Sequence, residues 1–312
     1  MDFATHRAII FTGIVILSAI GLYGNISLIA IHVRKPHLRT KYGLLFTLLT
    51  FSQSICIVFE WIGGIYIVST PNATAYGCFQ LISIYVFMHC LQTGLMAAIA
   101  ADLFICITFP MLHRTARNGV YVLILSLPSI LYGLLSMTFG YVFPSYTKID
   151  MCSPPASLHE VVKNPWYGVA GAAGVITVAS YGAAFFVLRC QVERGNQEQE
   201  LAKRSMRTLT VILIIFVFAR YTTTLAANVL LWMQAPKGIF SYFQYYSTFP
   251  AMICYSQNFY VTYWRSADYR RQLRNQQAKV HNALFGQCCP VETEKSLFVT
   301  SRATTHVTVT TV

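Results

Sequence analysis

The sequence predicts an all-α membrane protein: a bundle of seven spanning helices, followed by a short amphipathic helix and a polar tail. Three observations carry the prediction. Of the 312 residues, 55% are hydrophobic and only 11% charged, whereas a soluble domain carries about 25% charge. The apolar residues fall into seven blocks, roughly Ala8–Val33, Tyr42–Val68, Cys78–Phe109, Gly119–Phe143, Trp166–Leu188, Leu209–Met233 and Ile239–Trp264. Each holds the ~20 residues a spanning helix needs, because in lipid every backbone polar group must be paired within its own segment. Finally, eighteen of the 23 Lys and Arg gather in one set of alternate loops and in the tail. By the positive-inside rule the N-terminus is then outside and the tail cytoplasmic. The expected organisation is a membrane domain over 1–265, an amphipathic cytoplasmic helix over 266–286 and a disordered Ser/Thr-rich tail over 287–312. The net charge of +12 reads as a topology signal, with a contribution from anionic lipid at the inner leaflet. It is scattered along membrane ends, so no nucleic-acid surface is expected.

The first block is too long for a signal-peptide core, lacks a small-residue cleavage site and ends in Arg34-Lys35, so it reads as an uncleaved helix. In its middle, Gly24 permits close helix approach and Asn25 seeks an interhelical hydrogen bond. The second block holds Gln53 and Glu60. A carboxylate inside a span is costly and usually faces the bundle interior, so Glu60 is a functional-site candidate; the alternative is a protonated, purely structural Glu. The outer loop that follows carries the sequon Asn72-Ala73-Thr74, a glycosylation candidate in a loop short enough to restrict access.

The third block is the organising one. From Cys78 to Asp102, a continuous helix would cover about 36 Å, which puts the two residues at opposite membrane faces. Tyr85, Met88, His89 and Gln92 fall at helical spacing in its outer half, on a face that can look into the bundle. The fourth block tolerates Pro128. The loop Pro144–Pro165 is the longest outside segment and contains Cys152. The remaining cysteines lie within spans or toward the reducing side, so Cys78 and Cys152 are the pair able to keep a disulfide; two free extracellular thiols are the alternative. The fifth block is rich in Gly and Ala, among them Gly168, Gly171 and Gly174, which predicts tight packing.

Between the fifth and sixth blocks, Glu200 precedes Arg204 by four residues, which supports helical extension beyond the membrane. The sixth block holds Arg220 near its middle, beside Tyr221. A guanidinium at that depth needs a carboxylate, a water-filled cavity or an anionic ligand, and Glu60 is the expected carboxylate. The seventh block is aromatic, with Tyr255 and then Asn258. Beyond Ser266, Tyr269, Leu273, Val280 and Leu284 repeat at helical spacing among Arg and Gln, the pattern of a helix lying on a membrane surface. Cys288 and Cys289 are palmitoylation candidates. The C-terminal Val312 could dock a PDZ groove, the alternative being an idle terminus.

Gly24-Asn25, Cys78, Asp102, Pro110 and Cys152 together resemble a rhodopsin-like G-protein-coupled receptor. More closely, the chain resembles the nematode serpentine receptor class SX of chemoreceptors. The supporting segments are Leu38-Arg39-Thr40-Lys41, Glu60, DLFICITFPMLHR, CSPPASL, RSMRTLTVILIIFVFARYTTT and SQNFYVTYWRSADYR. The resemblance implies a plasma-membrane receptor and no cofactor. Its partners would be an extracellular small molecule or peptide, a heterotrimeric G protein and arrestin at the tail Ser/Thr. It points to Glu60, Tyr85, Met88, His89, Arg220, Tyr221 and Tyr255 for the ligand, and to Asp102, Leu103, Pro110 and Arg114 for coupling. The departures matter. Leu103 stands where such receptors have Arg, Gln53 where many have a sodium-linked Asp, Arg220 where Trp is usual, and Asn258-Phe259 where Asn-Pro is usual. Tyr85 stands at the amine-binding Asp position, which argues against an amine.

Other classes fit less well. A transporter should show inverted repeats or paired broken helices, and a channel is similarly unsupported. No metal cluster, Ser-His-Asp set or phosphate loop lies at workable spacing for an enzyme. A receptor-like protein that couples weakly, because of Leu103, is the nearest alternative.

Overall fold

A computed structural model describes residues 3–69, 73–149, 152–192, 210–234 and 236–285. Seven long helical segments build the bundle. The first five are α1 (Phe3–Arg34), α2 (Lys41–Ser69), α3 (Ala75–Thr108), α5 (Asn118–Val142) and α7 (Glu160–Val192). These five are long and apolar enough to cross a membrane. The sixth segment is composite: α8 (residues 210–216), a π-helical turn over Val217–Tyr221 and α9 (Thr222–Trp232). The seventh is α10 (Lys237–Arg265). Two short helices, α4 (Pro110–Thr115) and α6 (Pro154–Ser157), lie in connections. The chain divides into two compact units, 1–266 with the bundle and 267–312 with α11 (Ala267–Phe285).

α3 is the central element, packed against α2, α5 and α7, while α1 packs against α2 and α10. The bundle reverses the pattern of a soluble fold. On α5, Ser126, Ser129, Gly133, Ser136 and Gly140 are buried, whereas Leu123, Ile124, Leu127, Leu131 and Leu135 are exposed. Lipid is as apolar as leucine, so small residues go to helix contacts, where backbones approach closely. Gly94 on α3 shows how closely: a Cβ there would stand 2.7 Å from the Ser129 Cβ and 3.0 Å from its Cα. Gly24 plays the expected part between α1 and α10, where a Cβ would lie 2.9 Å from Phe259. Asn25 makes its interhelical bond, donating Nδ2 to the Tyr255 carbonyl at 3.0 Å.

Two sequence expectations need correction. Tight packing does not run through every glycine of the fifth span: a Cβ at Gly168 or Gly171 would meet nothing within 4 Å, whereas Gly174 is buried. The buried stripe of α7 is Val162, Trp166, Gly174, Thr177, Ala184 and Leu188, and composition alone cannot say which glycines fall on it. The same helix also starts earlier than expected, at Glu160, with Pro165 inside it. Pro165 removes one donor, the one its N–H would make to the Val161 carbonyl, a loss that helices of membrane proteins tolerate.

At the Cys78 end, the loop between α5 and α7 is tied down at several points. Strands Ala73–Thr74 and Lys148–Ile149 pair antiparallel, with Ala73 opposite Ile149 and Thr74 opposite Lys148. The amides of Ala75 and Tyr76 donate to Thr147 and Ser145. The Thr74 hydroxyl caps α3 by accepting from the Gly77 amide at 3.2 Å. A disulfide joins Cys78 to Cys152. Asn72, the Glu200–Arg204 pair, Cys288, Cys289, the 287–312 tail and Val312 lie outside the described residues.

Candidate functional site

In the half of the bundle nearer Cys78, one α-helical face of α3 presents Tyr85, Met88 and His89. Tyr85 donates its hydroxyl to the Glu60 carboxylate on α2. Its oxygen also lies 3.2 Å from the Tyr255 hydroxyl of α10, and that hydroxyl lies 3.4 Å from His89 Nδ1. A chain of polar groups, Glu60–Tyr85–Tyr255–His89, thus runs across three helices. Tyr85 and His89 are buried and Tyr255 is wholly so, at 0% exposure. In so apolar a setting the bonds have consequences. Glu60 is half-buried, and a buried phenol or imidazole without a partner costs about 1–3 kcal/mol, so each member is held in place by the next.

Aromatic and sulfur contacts wall this chain. Phe59 stacks on Tyr85 with ring centroids 6.2 Å apart, and Trp166 of α7 lies 5.1 Å from the His89 ring. The Trp166 indole donates to Cys90 Sγ at 3.1 Å. Met88 packs against the same buried cluster. The structure therefore brings together Glu60, Tyr85, Met88, His89 and Tyr255, as expected from the sequence, and adds Phe59, Cys90 and Trp166. Nothing in the sequence marked Trp166, because it opens an apolar block like any interfacial tryptophan. The Arg220 and Tyr221 side chains lie outside those described, so the expected Arg220–Glu60 contact does too. Their backbone forms the π-helical turn Val217–Tyr221, a local irregularity that is often found at functional sites.

One turn beyond Tyr255, Asn258 donates Nδ2 to Gln53 Oε1 of α2 at 2.7 Å and lies 3.4 Å from Thr50 Oγ1. Both amides are fully buried. The position resembling a carboxylate site thus holds a neutral amide pair that joins α2 to α10.

The opposite end of α3 carries Asp102. Phe109 leaves helical geometry at φ −127°, ψ 61°, and Pro110 opens α4, because a proline disfavours helical backbone in the residue before it and suits a first helical position. The resulting break turns His113 back, and its Nε2 lies 3.0 Å from Asp102 Oδ1. Lys41 of α2 donates to the His113 carbonyl and sits over the Tyr121 ring of α5, 5.1 Å from its centre. Of the residues singled out for this end, Asp102 is at the centre, Pro110 makes the break, and Leu103 is buried. Arg114 is the neighbour of His113 on α4. The only signal of His113 in the sequence is indirect: an Asp at a membrane face without an adjacent Arg needs another basic group nearby.

Comparison with curated proteins finds no match. The family model described as serpentine type 7TM GPCR chemoreceptor Srsx matches residues 18–277, which takes in the second half of α1, the helices from α2 to α10 and both ends of α3. With its helical membrane-spanning bundle and the Cys78–Cys152 disulfide that tethers its loop, the chain belongs to the serpentine 7TM GPCR chemoreceptor family Srsx.

Proposed function

We propose that this chemoreceptor binds an extracellular small molecule or peptide at the Glu60–Tyr85–His89–Tyr255 cluster, walled by Met88 and completed by Arg220 and Tyr221. Binding favours an arrangement in which the inner end of the sixth segment moves outward. A cytoplasmic heterotrimeric G protein is then activated at the face that carries Asp102, Leu103, Pro110 and Arg114. The N-terminus lies outside and α11 in the cytoplasm of a plasma-membrane protein, as the Lys and Arg distribution indicates. Arrestin at the tail, a PDZ protein at Val312, lipid at α11, palmitoyl groups at Cys288 and Cys289, and a glycan at Asn72 belong to the same reading.

One observation carries it: a hydrogen-bonded chain linking α2, α3 and α10 within a single aromatic enclosure. A ligand that bonds better to one arrangement of those three helices shifts their equilibrium by its difference in affinity. The test is a ligand screen in cells expressing the full chain, with a second-messenger readout, repeated on Glu60→Gln and Tyr85→Phe. A ligand whose potency is the same on all three proteins would remove the cluster from the binding site. A second reading, a receptor with weak or no G-protein coupling, is favoured by the buried Leu103. Leu103→Arg tests it by whether G-protein activation rises.

A further inference from the structure

We propose that His113 is a positioning residue for Asp102, and that with Lys41 and Tyr121 it forms a latch on the resting arrangement of this end of the bundle. The proposal rests on the reading of the Asp102 end as the face that meets the G protein. It starts from a cost. The Asp102 side chain is only 4% exposed, and a carboxylate so placed is destabilising unless it is paired and hydrogen-bonded. The next residue, Leu103, offers neither charge nor donor. The partner comes from eleven residues on, across the Phe109–Pro110 break: His113 Nε2 at 3.0 Å, with the His113 side chain 19% exposed. A carboxylate acceptor places the imidazole proton on Nε2.

The geometry reaches beyond one pair. Lys41, itself buried, reaches from α2 to the His113 carbonyl. The His113 ring meets Tyr121 edge-on, with centroids 5.5 Å apart at 83°. Cys106 lies within electrostatic reach of Asp102, Lys41 and Arg114, and Tyr121 within reach of Asp102 and Cys106. Among the described residues, the charged and titratable groups around the pair are Lys41 from α2, Cys106 from α3, Arg114 from α4 and Tyr121 from α5. His113 thus joins Asp102 of α3 through its ring nitrogen, Lys41 of α2 through its carbonyl and Tyr121 of α5 through its ring, so releasing the carboxylate loosens the seat of α4 on α3.

Cys106 supplies a readout that needs neither ligand nor G protein. The full-length chain in lipid nanodiscs is treated with N-ethylmaleimide, and alkylation of Cys106 is measured by mass spectrometry relative to exposed Cys190 of the same molecule. His113→Ala should raise the Cys106 ratio about tenfold, the equivalent of one charged hydrogen bond. His113→Arg should leave it at the wild-type level, and His113→Gln should fall between. Asp102→Asn keeps the side-chain shape and should match His113→Ala; it carries the test if His113→Ala fails to fold. An unchanged ratio in the folded variants would overturn the latch.

Basal nucleotide exchange on added heterotrimeric G proteins completes the design. Exchange that rises in His113→Ala and not in His113→Arg supports the latch as a coupling device. Altered alkylation without exchange from any variant upholds the latch and counts against coupling. Exchange by wild type with unaltered alkylation does the reverse.

Discussion

Tyr85 donates its hydroxyl to the Glu60 carboxylate, and this one bond ties the central helix to its neighbour in the middle of the candidate ligand site. The same phenol meets Tyr255, so α2, α3 and α10 share one junction. A ligand group entering there must replace or join these bonds, which makes the junction sensitive to single-atom changes.

Removing the Tyr85 hydroxyl should therefore affect response more than folding. Tyr85→Phe keeps the ring that stacks on Phe59 and deletes only the donor. For an agonist bonded to Glu60 the half-maximal concentration should shift by about tenfold or more, the effect of one hydrogen bond to a charged group. Surface expression should be near wild type. Dose–response curves alongside surface labelling measure both.

The disulfide anchors the loop rather than the bundle. Cys78→Ser, Cys152→Ser and the double variant should lose equal stability, about 2–4 kcal/mol, because either change opens the same link. A double variant markedly less stable than the singles would show that each cysteine contributes beyond the bond. Thermal unfolding of purified protein, with and without reductant, distinguishes the two.

Close packing between α3 and α5 makes a paired prediction about glycines. Gly94→Val drives a side chain into the Ser129 backbone and should cost about 1–3 kcal/mol, lowering the unfolding temperature by several degrees. Gly168→Ala meets nothing. It should leave that temperature unchanged or raise it slightly, since alanine is the better helix former by roughly 1 kcal/mol.

Gln53 and Asn258 should behave as a unit. Asn258→Leu leaves the Gln53 carbonyl without its 2.7 Å donor and should cost ~1 kcal/mol, a usual value for interhelical bonds in membranes. Gln53→Leu should cost a similar amount, and the double variant less than the sum, because the second change strands no partner. Strict additivity in unfolding measurements would mean that the two amides do not interact.

Much of this protein was legible in its sequence, and for a specific reason. Lipid leaves the backbone no partner but itself, so each apolar block had to be a helix, and seven blocks meant seven spans. Periodicity within one helix then put Tyr85, Met88 and His89 on a common face. Compartment sorting left Cys78 and Cys152 as candidates, and the structure joins them. The sequence also exposed the anomaly at Asp102-Leu103.

Tertiary structure decided what stands opposite each face. Glu60 was visible as a costly carboxylate, but its meeting with Tyr85 depends on how α2 is rotated against α3. The glycines of the fifth span were visible too, yet Gly168 and Gly171 lie off the buried stripe while Gly94 and Gly133 lie on contacts, and composition carries no angle. His113 is the clearest case. Its distance from Asp102 along the chain gave no sign of contact until the Pro110 break turned the backbone. Sequence determined which segments enter the membrane and which side chains need partners there; only the packing of helix against helix chose the partners.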